Sequence, residues 1–134
     1  MKKPVSPLVH GSLDYGLAVF LVLAVPLFGF TGIAATIFYV VAIAHTALSL
    51  MTAYPLGLIK KIPFTAHAKI ELAAALFLIA APWIFGFAEA EIVRNVYLIT
   101  GAVVVMLWSV TNYRAAESRA SSYRYTETHK RMAA

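Results

Sequence analysis

Four apolar stretches, each about 20 residues long, take up most of the chain, near Leu8–Phe28, Gly32–Tyr54, Ala66–Phe85 and Ile92–Tyr113. A run of that length crosses a ~30 Å hydrocarbon layer as a helix. Helix is the expected state, because a lone strand in lipid would leave its backbone groups unpaired. Ser6-Pro7 offers an N-cap and a first-turn proline to the first helix, and Thr65 an N-cap to the third. Gly29 and Gly86 stand where a glycine would end the first and third helices.

Polar residues break the apolar pattern in a repeated way. His10-Gly-Ser-Leu-Asp14, an apolar run and Pro26-Leu-Phe-Gly-Phe30 are followed later by His67-Ala-Lys-Ile-Glu71, an apolar run and Pro82-Trp-Ile-Phe-Gly-Phe87. Phe20 and Leu21 recur as Phe77 and Leu78, Lys2-Lys3 as Lys60-Lys61, and Thr52-Ala-Tyr54 as Thr111-Asn-Tyr113. The pattern predicts an all-α, four-helix transmembrane bundle built from two tandem helical hairpins. The repeats span about 8–54 and 65–113 of a single membrane domain, 1–113. Each hairpin returns the chain to its starting side, so the copies share one topology and imply a pseudo-twofold axis along the membrane normal.

Composition agrees with a bilayer. The chain is 61% hydrophobic and 13% charged, too apolar for a water-soluble domain of 134 residues. Its net charge of +5 sits on residues that flank the apolar runs, so the expected partner is a lipid surface and not nucleic acid. Lys2, Lys3, Lys60, Lys61, Arg114, Arg119, Arg124, Lys130 and Arg131 fall on one side; Arg94 lies on the other with Glu89 and Glu91, and Lys69 snorkels to the basic side. The positive-inside rule then makes both termini cytoplasmic. No cleavage site marks a removed leader, and Asp14 interrupts the first apolar run. Residues 114–134 read as a polar, basic cytoplasmic tail that continues the fourth helix for a few turns and frays. Without cysteine there is no thiol chemistry and no disulfide.

Ionisable groups within membrane helices are functional-site candidates by default. His10 and Asp14, like His67 and Glu71, lie four apart and share one helix face. His45 descends from the opposite side with Ser49 and Thr52 in a stripe, while the second copy offers Ala102 in its place. A bundle would gather His10, Asp14, His45, His67 and Glu71 near its cytoplasmic end. Three readings follow: a hydrogen-bonded network that mainly sets packing, a metal or cofactor site for which His10, Asp14, His67 and Glu71 are the candidate ligands, or a proton or small-solute relay. The spacing is not the Glu-x-x-His of di-iron bundles, and no cofactor is required by the sequence. Ser12 or Ser49 could be drawn into a hydrolase triad only without a nucleophile elbow, so the expected role is non-enzymatic. Trp83, Phe85, Phe87, Phe28 and Phe30 read as an aromatic belt at the outer interface, with Trp108, Tyr54 and Tyr113 at the inner one. Gly11, Gly16, Ala73, Ala74 and Gly101 permit close helix approach. A translocating role would call for a homo-oligomer, since four spans are few.

The stretch Ala81-Pro82-Trp83-Ile84-Phe85-Gly86-Phe87, with Asn95 and Gly101 after it, resembles the SPW repeat of small bacterial membrane proteins. Here alanine replaces the serine, and the first copy reads Val25-Pro26-Leu27 with one residue fewer before Gly29-Phe30. The resemblance implies a multi-pass protein of the bacterial cytoplasmic membrane with paired helices. It implies architectural roles for Pro26, Gly29, Phe30, Pro82, Trp83, Gly86 and Phe87, and no particular activity.

Overall fold

A computed structural model describes residues 3–134, apart from the side chains at 117, 119, 120, 123 and 124. Lys2 and the side chains of Arg119 and Arg124, which entered the charge argument, lie outside the described residues. Five helices follow one another: α1 Pro7–Leu27, α2 Gly32–Met51, α3 Phe64–Ile84, α4 Glu91–Val110 and α5 Arg114–Ala133. No strand occurs among the described residues. The first four helices are long and apolar enough to cross a membrane, and they turn large side chains outward, with Ile43 72% and Ile99 63% exposed. Lipid, unlike water, leaves such a surface without penalty.

Within a hairpin, α1 packs along α2 and α3 along α4; contact between the hairpins is much sparser. Gly101 lets α4 approach α3, since a Cβ there would meet Ile79 at 2.5 Å and the Ala75 carbonyl at 2.8 Å. The core at the turn end joins Leu21, Ala24, Phe30, Phe38, Leu78 and Tyr97 from all four helices. The Tyr97 hydroxyl donates to the Ala34 carbonyl at 2.6 Å, linking α4 to α2.

The helix ends follow from local chemistry. The Ser6 hydroxyl accepts the Val9 N–H, as expected of an N-cap. Gly29 and Gly86 take φ of +67° and +75° just beyond α1 and α3. That conformation lets the Phe30 N–H reach the Val25 carbonyl and the Phe87 N–H reach the Pro82 carbonyl, both at 2.9 Å, closing each helix with a Schellman turn.

Several expectations need correction. Thr65 is not the N-cap of α3: the helix starts at Phe64, and the Pro63 carbonyl receives the N–H groups of Ala66 and His67. α2 and α4 stop at Met51 and Val110, three residues short of the tyrosines. They stop because Thr52 and Thr111 turn extended and pair laterally with Ile62 and Val5. The tail is a separate helix, α5, broken from α4 at that extended threonine. Phe30 is buried against Phe38 and Tyr97, and Phe87 packs on Tyr97 at 5.0 Å, so neither belongs to an aromatic belt. Trp83, Phe85 and Phe28 are exposed as a belt requires.

Candidate functional site

At the end of the bundle where α1 and α3 start, each helix carries a histidine in its first turn and an acid one turn later. The i, i+4 spacing stacks each pair on one face, and the two faces meet. His10, Asp14, His67 and Glu71 are all buried. One ligand atom from each lies within 4.8 Å of the other three. His10 Nε2 stands 3.2 Å from Asp14 Oδ1 and 3.4 Å from Glu71 Oε2; His67 Nε2 stands 3.5 Å from Asp14 Oδ2 and 4.0 Å from Glu71 Oε2.

The surrounding hydrogen bonds decide which way these groups face. Thr111 donates its single hydroxyl proton to the Leu107 carbonyl, so its oxygen accepts from His10 Nδ1 at 2.9 Å. Thr52 donates to Leu48 and accepts from His67 Nδ1, again at 2.9 Å. With Nδ1 protonated, a neutral imidazole presents the Nε2 lone pair inward. The carboxylates are held from outside as well: Tyr54 donates to Asp14 Oδ2 at 3.2 Å and Tyr113 to Glu71 Oε2 at 2.9 Å. Both phenols lie beyond the spans. Burial, reinforced by the adjoining carboxylate, pushes each above its ordinary pKa, so both remain neutral donors. Phe64 closes the site from the basic end, packing on His10, His67, Tyr54 and Tyr113.

Inside this shell, His10 Nε2, His67 Nε2, Asp14 Oδ1 and Glu71 Oε1 have no hydrogen-bond partner among the described residues. The facing groups are within ion-pair range but lack hydrogen-bond geometry. Buried polar groups left this way are costly. Two imidazole nitrogens and two carboxylates turned toward one another, each residue held by an outer hydrogen bond, are what a metal site supplies: a ligand histidine donates its other ring N–H to a fixed acceptor. The separations agree. Metal–ligand bonds of ~2.0–2.1 Å in a tetrahedron set ligand atoms ~3.3–3.4 Å apart. The His10 spacings to Asp14 Oδ1 and Glu71 Oε2 lie within about 0.2 Å of that edge; His67 stands at 3.5 Å from the other Asp14 oxygen, Oδ2, and farther, at 4.0 Å, from Glu71 Oε2.

His45 reaches the rim and not the centre. Its Nε2 donates to the backbone carbonyl of Asp14 at 3.1 Å and lies 3.9 Å from Asp14 Oδ1. Matching α2 to α4 through their ends sets Val104, not Ala102, at the position of His45, because the second turn is two residues longer. The proline-containing residues sit at the opposite end of the bundle. Pro82 is buried and Pro26 exposed, since Pro26 occupies the place of exposed Trp83 when the two Gly-Phe pairs are aligned. Sequence reading missed Thr52, Thr111, Tyr54 and Tyr113 as members of the site. The echo of Thr-x-Tyr at the ends of α2 and α4 was the available signal. No protein-family model, curated protein or solved structure matches this chain.

Proposed function

We propose that this protein is an integral membrane protein that binds one divalent first-row metal ion through His10, His67, Asp14 and Glu71, and that the ion ties its two hairpins together. The observation that carries this reading is the set of four buried ligand residues, each held by an outer hydroxyl, with one ligand atom from each lying within 4.8 Å of the other three. With both acids ionised the set carries two negative charges, which one divalent ion cancels. Two nitrogens and two oxygens suit zinc and its neighbours in the first row. Four protein ligands complete a tetrahedron, the arrangement of a structural site, so the role is binding and assembly and not catalysis. The packing role expected from the sequence is absorbed here, since an ion shared by α1 and α3 would itself fix their packing.

The same proposal includes an internal duplication. The shift that carries His10 to His67 also carries Leu21 to Leu78, Gly29 to Gly86 and Phe30 to Phe87. Matching pairs support it: Val5 with Thr111 against Ile62 with Thr52 between the hairpins, and Tyr54 with Asp14 against Tyr113 with Glu71 within them. Lys3, Lys60, Lys61 and Arg114 favour a cytoplasmic site end. The Pro82-Trp83 and Gly-Phe residues carry the resemblance to the SPW repeat and, with it, a bacterial cytoplasmic membrane.

The test is metal analysis of protein purified in detergent without chelator, beside His10→Ala/His67→Ala. The parent is expected to hold roughly one ion per chain and the variant none. A metal-free parent that also fails to take up Zn²⁺ or Mn²⁺ saturably overturns the reading and leaves the cluster a packing network.

A further inference from the structure

A second polar feature lies at the same end of the bundle, outside the central cluster. Where α3 begins and α4 gives way to α5, an open pocket of about 560 Å³ is lined by Lys3, Thr65, Lys69, Trp108, Asn112 and Arg114, among others. That volume falls within the ~300–1,000 Å³ of small-ligand sites. Its lining includes three cations and, among the described residues, no acid. None of the three takes part in an ion pair among the described residues.

The cations come from three separate elements, and the fold brings them together. Lys3 arrives on the extended segment that Val5 fastens to the end of α4: its N–H donates to the Val110 carbonyl at 3.2 Å, and its carbonyl accepts from the Asn112 N–H at 2.9 Å. Lys3 Nζ then stands 5.8 Å from the centre of the Trp108 ring, a cation–π distance. Lys69 comes from the opening turns of α3, whose first turn holds no acid, and Arg114 opens α5. Both helix starts border the pocket and add their partial positive charge. The matching places of the first hairpin lack this equipment. Setting His10 on His67 and Thr52 on Thr111 puts Ser12, Ser49 and Pro55 where Lys69, Trp108 and Arg114 stand. Two hairpins that furnish the same cluster therefore differ here by two charges and an indole.

Uncompensated cations in a pocket call for an anion. The pocket lies at the ends of two helices apolar enough to span a membrane, which is the depth of lipid phosphates and the depth tryptophan prefers. We propose that this pocket binds the phosphate group of an anionic phospholipid from the surrounding leaflet. Arg114 offers a planar fork to two phosphate oxygens, and Lys3 and Lys69 act as point charges. The site does not draw on the central cluster and stands whether or not that cluster holds an ion.

Phosphatidylglycerol is titrated into the protein in an uncharged detergent, and bound lipid is counted by native mass spectrometry. Phosphatidylcholine of the same chains is the zwitterionic probe, and glycerol 3-phosphate the soluble one. One saturable phosphatidylglycerol site is expected, with phosphatidylcholine about tenfold or more weaker. Lys69→Gln/Arg114→Gln is expected to weaken phosphatidylglycerol by about tenfold or more. Lys60→Gln/Lys61→Gln removes the same charge from the same end of the bundle, outside the pocket, and should stay within about twofold of the parent. Should the first double variant fail to fold, Arg114→Gln alone, at an exposed side chain, decides the matter with a loss of about threefold or more. Equal losses in the two double variants, or uptake of phosphatidylglycerol without saturation, mean surface charge alone and overturn the proposal. Glycerol 3-phosphate binding as tightly as the lipid assigns the pocket to a soluble phosphate and overturns it too.

Discussion

The acids and the imidazoles of the central cluster are held in opposite ways. Each carboxylate is gripped within its own hairpin: Asp14 by Tyr54, Glu71 by Tyr113. Each imidazole is gripped by the other hairpin: His10 by Thr111, His67 by Thr52. Helix contact between the hairpins is much sparser than within them, and here the tyrosine bonds lie within one hairpin while the threonine bonds join two. The same polar cluster therefore contains one layer that serves local folding and another that serves assembly.

The comparison predicts that threonine and tyrosine variants fail differently. Thr52→Val with Thr111→Val removes both acceptors of Nδ1–H and frees the rings to turn. Zinc affinity is expected to fall by about 100-fold in a competition titration, since losing such partners typically costs 10–100-fold. Far-ultraviolet circular dichroism is expected to stay unchanged, because α1 to α4 keep their internal bonds. Unchanged affinity would mean that the threonines do not orient the ligands.

A smaller effect is expected from the tyrosines, and an unequal one. Tyr113→Phe takes a 2.9 Å donor from Glu71, and Tyr54→Phe a 3.2 Å donor from Asp14. Either loss should lower thermal stability in detergent by about 1–3 kcal/mol, Tyr113→Phe at the upper end. Equal and negligible shifts would show that the hydroxyls are replaceable by solvent.

The smallest effect sharpens the difference between the hairpins. Gly11 lies beneath the Tyr54 ring, where a Cβ would come within 2.5 Å of it. Gly11→Ala should push that ring off Asp14 and cost about 1 kcal/mol, the low end of overpacking. Gly16→Ala, with nothing within 4 Å of the new Cβ, is the matched control and should melt within about 0.5 kcal/mol of the parent. A Gly11→Ala protein as stable as the control would show that Tyr54 has room to yield.

Much of this was legible beforehand, and the limits have physical causes. Spacing alone revealed His10 with Asp14 and His67 with Glu71, because i, i+4 places a pair on one face in any helix. Four apolar runs revealed four helices, and glycine at positive φ revealed two of their ends. What spacing does not carry is which side chains arrive from another helix. Tyr54 and Tyr113 looked like interfacial rings because that is where helix ends usually lie. They became buried donors only because Thr52 and Thr111 end their helices early and lateral pairing with Ile62 and Val5 turns the chain over the site. Phe30 and Phe87 were misjudged for the same reason: a Schellman turn folds the next residue back onto the core.

The pairing of Val5 with Thr111 also bears on how the protein is made. Three helices can leave the insertion machinery before Thr111 and Tyr113 are synthesised, and until then His10 and Glu71 lack their outer partners. Closure of the site is therefore a post-insertion event that awaits the last span and is sealed by the earliest residues described. A chain stalled before Thr111 would leave His10 without its threonine acceptor and Glu71 without its tyrosine donor.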